Sequence, residues 1–504
     1  MFMLVVRAVE DQPNRGIKRG DEFSIYIVDA HHHMGREKGH KNTPTGAYEF
    51  YAQLWLEIQK RTQGLLEEDR LLFEPISIEA PGLAAHLFRS KDSWSRLDHG
   101  WLVDRTIAFP YTDDYSIPTE KGEPSFKASN DKISSWTARA PHSSRLIGFA
   151  RVNPLDGYHN GSLIAVRELE RAVLSLGLRG LKLHPLAQLF VDFIDKNEPR
   201  EVVKRAGELG IPVIFDTRNI RTVVRIKRLV DSMRNDPDCG SAMKGLKVIL
   251  AHCGMAPGDS RLYEALKDPV IFAETSTLHD KDVPVLFETA NERLTTPYRE
   301  WSEKILFGTD FSFLSVQALD VILYLLSRDF QGTLADTQRI LGGNALSIVN
   351  SPYRTSTGSS GHPTEFVCWD GSFAVQRELE KKVVSLVSDG IWDLCSLDFM
   401  IPPIGTWPAP SSRTSGGFNG VDMNSYVLTL TSKEKSRELH LWVRRRPDDY
   451  ISCTLLPTQG MTRLDTLENA SQKINQVLLR SISDYSETLQ SSSDLQIRVL
   501  DLLR

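Results

Sequence analysis

The chain lacks several things that would assign it quickly. Its five cysteines, Cys239, Cys253, Cys368, Cys395 and Cys453, form no C-x-x-C pair. That leaves neither a zinc knuckle nor a disulfide framework, and a reducing cytoplasm fits best. Neither sign of charge is in excess: 60 Lys and Arg against 65 Asp and Glu give a formal net charge of −5. No electrostatic footprint for nucleic acid follows from that balance. No window approaches the roughly 18 consecutive apolar residues needed to span a bilayer. The stretch Met1 to Val9 is apolar but carries Arg7 and no small-residue cleavage site, so it reads as a strand and not as a leader. There is no internal repeat. With 41% hydrophobic and 25% charged residues the chain is globular in composition, and its 504 residues predict two to four domains.

From Phe23 onward, short β-rich runs alternate with longer helical patterns. Eight runs are predicted as strands: Ser24–Val28, Arg105–Phe109, Leu146–Ala150, Gly180–Leu183, Val213–Phe215, Lys247–Leu250, Val270–Ala273 and Lys304–Phe307. Most are continuous apolar runs, as parallel strands buried on both faces require. Amphipathic stretches lie between them, such as Leu163–Leu176 and Pro199–Leu209. The latter ends in Leu209-Gly210-Ile211-Pro212, a helix stop leading straight into a strand. Eight β-α units predict an α/β fold, a (β/α)8 TIM barrel. The long interval between the first two runs holds a helix near Ala47–Leu65 and the stretch Phe73–His86. It is expected to be an insertion over the barrel mouth, joined there by the loop Pro118–Pro124.

The barrel pattern ends near Val349, which sets a domain over 1–352. Residues 353–363 close a Ser/Thr/Gly/Pro-rich linker that starts at Asn350. The remainder, 364–504, is expected to be an α+β accessory domain. Its strands are predicted at Tyr426–Leu430, Glu438–Val443 and Tyr450–Leu455, its helices at Ala374–Ser388 and Leu464–Leu489, and a long loop at Pro402–Gly420. The run Arg444-Arg445-Arg446 reads as a solvated strand edge that blocks pairing.

In such a barrel, functional residues sit at the C-terminal ends of strands. Six of the eight predicted strand ends carry charged or imidazole groups: Asp29-Ala30-His31-His32-His33, Lys182-Leu183-His184, Asp216, His252, Glu274 and Asp310. Residues two apart in an extended chain face the same way, so His31 and His33 can present imidazoles to one ion while His32 faces outward. Buried charges at this density need a metal or one another, and nitrogen and carboxylate groups converging in this way match hydrolytic metal sites.

The motifs D-A-H-H-H at 29–33, R-L-I-G-F-A-R-V-N-P at 145–154, G-L-R-G-L-K-L-H-P at 177–185, V-I-L-A-H-C-G at 248–254 and I-L-F-G-T-D-F-S-F at 305–313, together with V-D-R-T-I-A-F-P, G-I-P-V-I-F-D-T and R-I-L-G-G-N-A, resemble the amidohydrolase superfamily. The likeness is to its amidohydrolase-related branch, which includes enzymes of the aminocarboxymuconate-semialdehyde decarboxylase type. It runs from about Val28 to Val349 and leaves the terminal region uncovered. It implies His31 and His33 as metal ligands, His252 as a general acid/base, and Asp310 as a ligand or proton acceptor. It also implies one divalent ion, zinc in this family.

One position departs from the branch, where the fifth strand usually ends in a ligating His. Here Asp216 stands in that place. Asp216 can be an oxygen ligand, which would tilt selection toward Mn(II) or Mg(II). It can instead pair with Arg218 or Arg221, leaving His184 to complete the shell, or it can mark a site that has lost its metal. The first reading is narrowly favoured.

Arg151 is a candidate for holding a substrate carboxylate. Lys182 is a candidate for substrate binding or for pairing with Glu274. The leading expectation is a hydrolase of an amide, ester or lactone bond. A non-oxidative decarboxylase of an unsaturated or aromatic acid is the enzymatic alternative, and a binding or scaffold barrel the non-enzymatic one. The expected partners are a small-molecule substrate and no nucleic acid or membrane, with a homodimer left open.

Overall fold

In the computed structural model the described residues are 3–37, 39–79, 102–112, 122–137, 146–296 and 300–349, and the backbone of five later strands within 369–456. Strand β1 is Met3–Ala8, β2 Glu22–Ile25, β3 Val28–Glu37, β4 His40–Asn42, β5 Phe73–Glu79, β6 Arg105–Pro110, β7 Leu146–Gly148 and β8 Ala150–Arg151. A small hairpin, β9 Tyr158–His159 and β10 Ser162–Leu163, precedes β11 Leu181–Leu183, β12 Pro212–Phe215, β13 Lys247–Leu250, β14 Ile271–Glu274 and β15 Ile305–Leu306.

Two sheets carry the architecture. One runs β4-β3-β6-β7 and the other β15-β14-β13-β12-β11-β8. Apart from the hairpin partner β4, every pairing in them is parallel. They are joined on one side because β7 and β8 are one strand interrupted at Phe149, whose N–H donates to Ala108 O at 2.9 Å. On the other side Ala30 N–H donates to Phe307 O at 2.9 Å, Asp310 N–H to His31 O at 2.9 Å and His33 N–H to Phe311 O at 2.7 Å. Hydrogen bonding therefore passes through eight strand positions and returns to the first.

The helices cover this ring for the reasons the sequence predicts. Helix Ile220–Arg234 buries Val223, Ile226, Leu229, Val230 and Met233 along one face, each side chain contributing about 1.5–3 kcal/mol relative to exposure. Asn219 caps it by accepting from Thr222 N–H at 3.1 Å, and Asn219→Ala would cost about 1 kcal/mol. Helices Asn197–Glu208 and Gly240–Gly245 touch backbone to backbone: a Cβ on Gly207 would lie 2.4 Å from Ala242 O.

Two expectations change. The predicted first strand, Ser24–Val28, is split. Glu22–Ile25 pairs antiparallel with β1, and the ring strand starts only at Val28. The apolar run through Phe23, Ile25, Ile27 and Val28 is continuous, and hydrophobicity does not mark where the chain changes sheets. The histidine triplet therefore lies inside β3, not after it. The Phe73–Glu79 part of the insertion does not cover the mouth. Phe73–Glu79 pairs with β1, completing a sheet of order β2-β1-β5. β2 ends three residues before β3 starts, which puts this sheet at the N-terminal end of the ring, opposite the polar cluster. The chain gets there by helix Pro44–Glu67, whose 24 residues span about 36 Å. Residues 80–101 and most of 118–124 lie outside the described residues.

Beyond 349, β16 Trp369–Ser372, β17 Trp392–Phe399, β18 Ser425–Ser432, β19 Glu438–Arg445 and β20 Tyr450–Leu456 form one antiparallel sheet of order β16-β20-β19-β18-β17. It includes the three strands expected there and two the sequence reading missed. Arg444 and Arg445 fall within β19 and pair with β20, so they do not stand on an unpaired edge. Ala374–Ser388, Pro402–Gly420, Leu464–Leu489 and the linker 350–363 lie outside the described residues. Among the described residues, no helix is long and apolar enough to cross a membrane.

Candidate metal centre

The pleat of β3 turns His31 and His33 to the same side, and their Nε2 atoms stand 3.3 Å apart. From across the closing seam Asp310 brings Oδ1 to 3.3 Å from His31 Nε2 and 3.2 Å from His33 Nε2. All three side chains are buried. Nevertheless Asp310 Oδ1 has no hydrogen bond of acceptable geometry. The three atoms thus converge on one place, each within 3.3 Å of the other two, with the two Nε2 atoms at hydrogen-bonding geometry. Ligands about 2.1 Å from a tetrahedral ion would be about 3.4 Å apart, and the observed triangle has that size.

His32, between these two, points the other way into a separate network. Its Nδ1 lies 3.1 Å from Asp29 Oδ2 and its Nε2 2.9 Å from Asn42 Nδ2. Asp29 also accepts from His31 N–H at 3.0 Å, Thr309 N–H at 3.0 Å, Thr309 Oγ1 at 2.6 Å and Tyr51 OH at 2.8 Å. One buried carboxylate therefore ties the backbone before Asp310 to the backbone of His31.

Glu274, at the end of β14, lies directly behind His31. Its Oε1 is 2.8 Å from His31 Nδ1 and accepts His252 N–H at 2.9 Å and Ser276 Oγ at 2.6 Å, while Oε2 accepts Ser276 N–H at 2.6 Å. Burial raises the Glu274 pKa, but His31 and the hydrogen bonds outweigh it and hold the group down at about 2. An ionised Glu274 places the His31 proton on Nδ1 and leaves the Nε2 lone pair for the common point. The sequence reading offered Glu274 to Lys182 instead. The backbone requires glycine beside it, because a Cβ on Gly308 would lie 2.3 Å from Glu274 Oε2.

Lys182 Nζ lies 3.2 Å from His31 Nε2 and 3.5 Å from Asp216 Oδ2, over the Phe109 ring at 4.8 Å. Burial lowers its pKa to about 8 against the pull of Asp216. Asp216 serves two sides at once. Its Oδ1 accepts from Arg218 Nε at 3.1 Å, while Oδ2 stands 3.2 Å from His252 Nε2 and 3.5 Å from His184 Nε2. Burial works to raise the Asp216 pKa, but Lys182 and His252 take it well below the usual carboxylate range. Pairing with Arg218 and facing the cluster are thus not alternatives. His184 Nδ1 accepts Ala187 N–H at 3.2 Å, so in the neutral ring Nε2 carries the proton and donates toward Asp216. Burial lowers the pKa of His184 to about 3.

His252 and Asp310 both adopt left-handed backbone, with φ of 60° and 55°. Such conformations are uncommon in residues with a Cβ and concentrate at functional sites. Ser276 Oγ donates to Glu274, so it accepts from His252 Nδ1, 2.8 Å away. Arg151, at the end of β8, is fully buried. Its Nη1 donates to Thr112 Oγ1 at 3.0 Å, but among the described residues Nε and Nη2 have no partner. Its electrostatic neighbours include Asp216, Lys182 and His184.

Two sets of three residues bring ligand atoms within 4.8 Å of one another: His31, His33 and Asp310, and His31, Asp216 and His252. The donors suit a divalent ion. Three buried carboxylates, Asp216, Glu274 and Asp310, face two buried cations, Lys182 and Arg151, and the cluster is one positive charge short before its histidines are counted. Burial and Lys182 lower the His31 pKa, yet Glu274 and Asp310 carry it above its usual value.

The profile of the amidohydrolase family matches residues 119–350. Over that stretch the chain is similar to the amidohydrolase family. The match covers every ring strand from β7 to β15, including the positions of Asp216, His252 and Asp310. It begins after β3, so the His31–His33 pair stands on the geometry above. Two solved structures are similar at TM-scores of 0.38. One is an uncharacterised TIM-barrel protein of Bordetella bronchiseptica, 14% identical, with 64% of this chain and 98% of that one covered. The other is 4-oxalomesaconate hydratase of Rhodopseudomonas palustris, 16% identical, with 64% and 95% covered. No curated protein matches the chain by sequence.

Proposed function

We propose that residues 1–352 form a (β/α)8 barrel enzyme that hydrolyses an amide, ester or lactone bond of a small molecule with one divalent ion. His31, His33 and Asp310 hold the ion, and Asp216 brings a carboxylate oxygen within 4.8 Å of a His31 ring nitrogen. The observation that carries this reading is the 3.2–3.3 Å triangle of Nε2, Nε2 and Oδ1 with an unpartnered carboxylate oxygen at one corner. A divalent ion in such a place supplies Lewis acidity, acidifying water and polarising the substrate's oxygen.

The chain's own groups do the rest. Ser276 keeps the His252 proton on Nδ1, so a second proton on Nε2 lies between that atom and Asp216 Oδ2. It is the proton available to a leaving group, and once it has gone Nε2 is a base aimed at the same spot. Arg151 Nε and Nη2 offer a buried guanidinium edge to a substrate carboxylate. Lys182 Nζ supplies a positive charge beside the reacting centre. Residues 364–504 form a separate α+β unit in this reading.

Non-oxidative decarboxylation of an unsaturated or aromatic acid is the second reading, favoured by the same two Arg151 nitrogens without acceptors, which would anchor an acidic substrate. Metal analysis of the full-length protein with His31 and His33 both changed to Ala tests the common core. The expected result is loss of about one equivalent of bound divalent ion with the fold retained. Stoichiometric ion in the double variant would refute it. Release of carbon dioxide, as against hydrolysis, from candidate acids separates the two chemistries.

A further inference from the structure

The mouth of the polar cluster is surrounded by apolar side chains that water reaches. Nine large hydrophobic residues are exposed among the described residues, and seven of them lie within nine residues after a cluster residue. Leu186, Leu189 and Phe193 come after His184, Met255 comes after His252 and Phe313 after Asp310, and two more follow Arg151. Leu189 is 77% exposed and Leu186, Phe193 and Met255 about half exposed. Scattered apolar residues need no explanation, but a concentration around one opening marks a binding surface.

The segment that carries three of them is held firmly. Gln188 accepts His184 N–H at 2.6 Å and donates to Val152 O at 2.7 Å, and Phe190 and Ile194 are fully buried anchors. The exposed side chains are therefore displayed on a fixed frame. Phe313 links the rim to the cluster, its ring centroid 4.9 Å from that of His33. Inside the rim lies buried Arg151, whose Nε and Nη2 have no hydrogen-bond partner among the described residues.

We infer that the substrate is an amphipathic organic acid, its carboxylate held by Arg151 and its apolar chain lying across the rim formed by Leu186, Leu189, Phe193, Met255 and Phe313. This deepens the reading above and rests on it for the position of the reacting centre. Hydrogen-bond complementarity selects the occupant: an apolar rim around two buried guanidinium nitrogens, Arg151 Nε and Nη2, that lack acceptors fits a chain that ends in a carboxylate. The same residues would discriminate between acids by chain length, each buried methylene being worth up to about fourfold in affinity.

The test is calorimetric titration of the full-length protein with hexanoate, octanoate and decanoate. Affinity should rise about two- to fourfold per methylene, less than the full value because the rim is half open. A Leu186→Ser, Leu189→Ser, Phe193→Ser triple variant should flatten that rise while its melting temperature stays unchanged, since these side chains are exposed. Octylammonium should bind at least tenfold more weakly than octanoate. A flat series in the wild type, an undiminished rise in the triple variant, or equal binding of octylammonium would overturn the inference. Sedimentation covers the other occupant: a wild-type dimer that the triple variant splits, with no chain-length dependence, would make the rim a contact between copies. Repeating the series on chelator-treated protein separates the two readings. Failure of the metal assignment leaves the chain-length slope intact, and failure of the rim leaves a protein that still binds its ion.

Discussion

Glu274→Gln isolates a group that touches no proposed substrate and yet governs the geometry of the cluster. The change keeps volume and shape and replaces one acceptor oxygen by an NH2. Four donors converge on the carboxylate, three at Oε1 and Ser276 N–H at Oε2. The least costly placement leaves the amide oxygen with the three and turns the NH2 toward Ser276 N–H. One buried donor then loses its acceptor, at about 1–3 kcal/mol. The charge behind His31 also disappears, and loss of such a partner lowers metal affinity about 10–100-fold. Ionic linkage adds a pH signature. A carboxylate whose folded pKa is depressed from 4.5 to about 2 contributes stability that is fully present above the unfolded value and is lost as pH falls through the folded one. The span amounts to about 3 kcal/mol, and the Gln variant should lack this part of the acid limb between about pH 4.5 and 2. Chelator competition for the bound ion and urea melts from pH 2 to 7 on both proteins measure these effects. If metal affinity is unchanged while stability falls, Glu274 is a structural residue only and the argument for the His31 tautomer fails.

Gly308→Ala should be more damaging than any neighbouring substitution, because its Cβ would meet Glu274 Oε2 at 2.3 Å and His31 Cβ at 3.0 Å; metal loss without unfolding is expected, and full metal occupancy would argue against the packing described. Asp216→Asn removes the carboxylate that balances buried Lys182 and should lower the melting temperature by roughly 10 °C, as loss of one partner of a buried ion pair does; a shift of a degree or two in scanning calorimetry would deprive Asp216 of its place at the hub. A protein truncated to residues 1–352 should be soluble and retain its ion, and precipitation of that fragment alone would mean that the two parts share a core.

The ring strands were legible because parallel strands buried on both faces are apolar throughout, and β11 to β14 match their predicted bounds to within a residue. The His31–His33 pair was legible for a related reason: period two in an extended chain leaves little freedom in where alternate side chains point. What sequence could not deliver was which carboxylate faces which cation. Glu274 was offered to Lys182 because both sit at strand ends, but strand-end position says nothing about height or rotamer, and the structure gives Glu274 to His31 and Lys182 to Asp216. The pairing of Asp29 with Thr309 was out of reach for a stronger reason. They are 280 residues apart, and only the closing seam between β3 and the end of β15 brings them to 2.6 Å.

A different reason kept Asp216 from being resolved by motif. Its two oxygens lie in different environments, one on Arg218 near the surface and one among His184, Lys182 and His252 inside, and a one-letter comparison with a histidine at that place asks which single partner it has. A histidine presents one nitrogen to the cluster and can take one ligand there. The aspartate takes a surface cation and a buried set together, so the loss of the histidine does not by itself imply the loss of the ion. In the proposed site His31, His33 and Asp310 would hold the ion without it, which would leave Asp216 Oδ2, 3.2 Å from His252 Nε2, to hold the His252 proton.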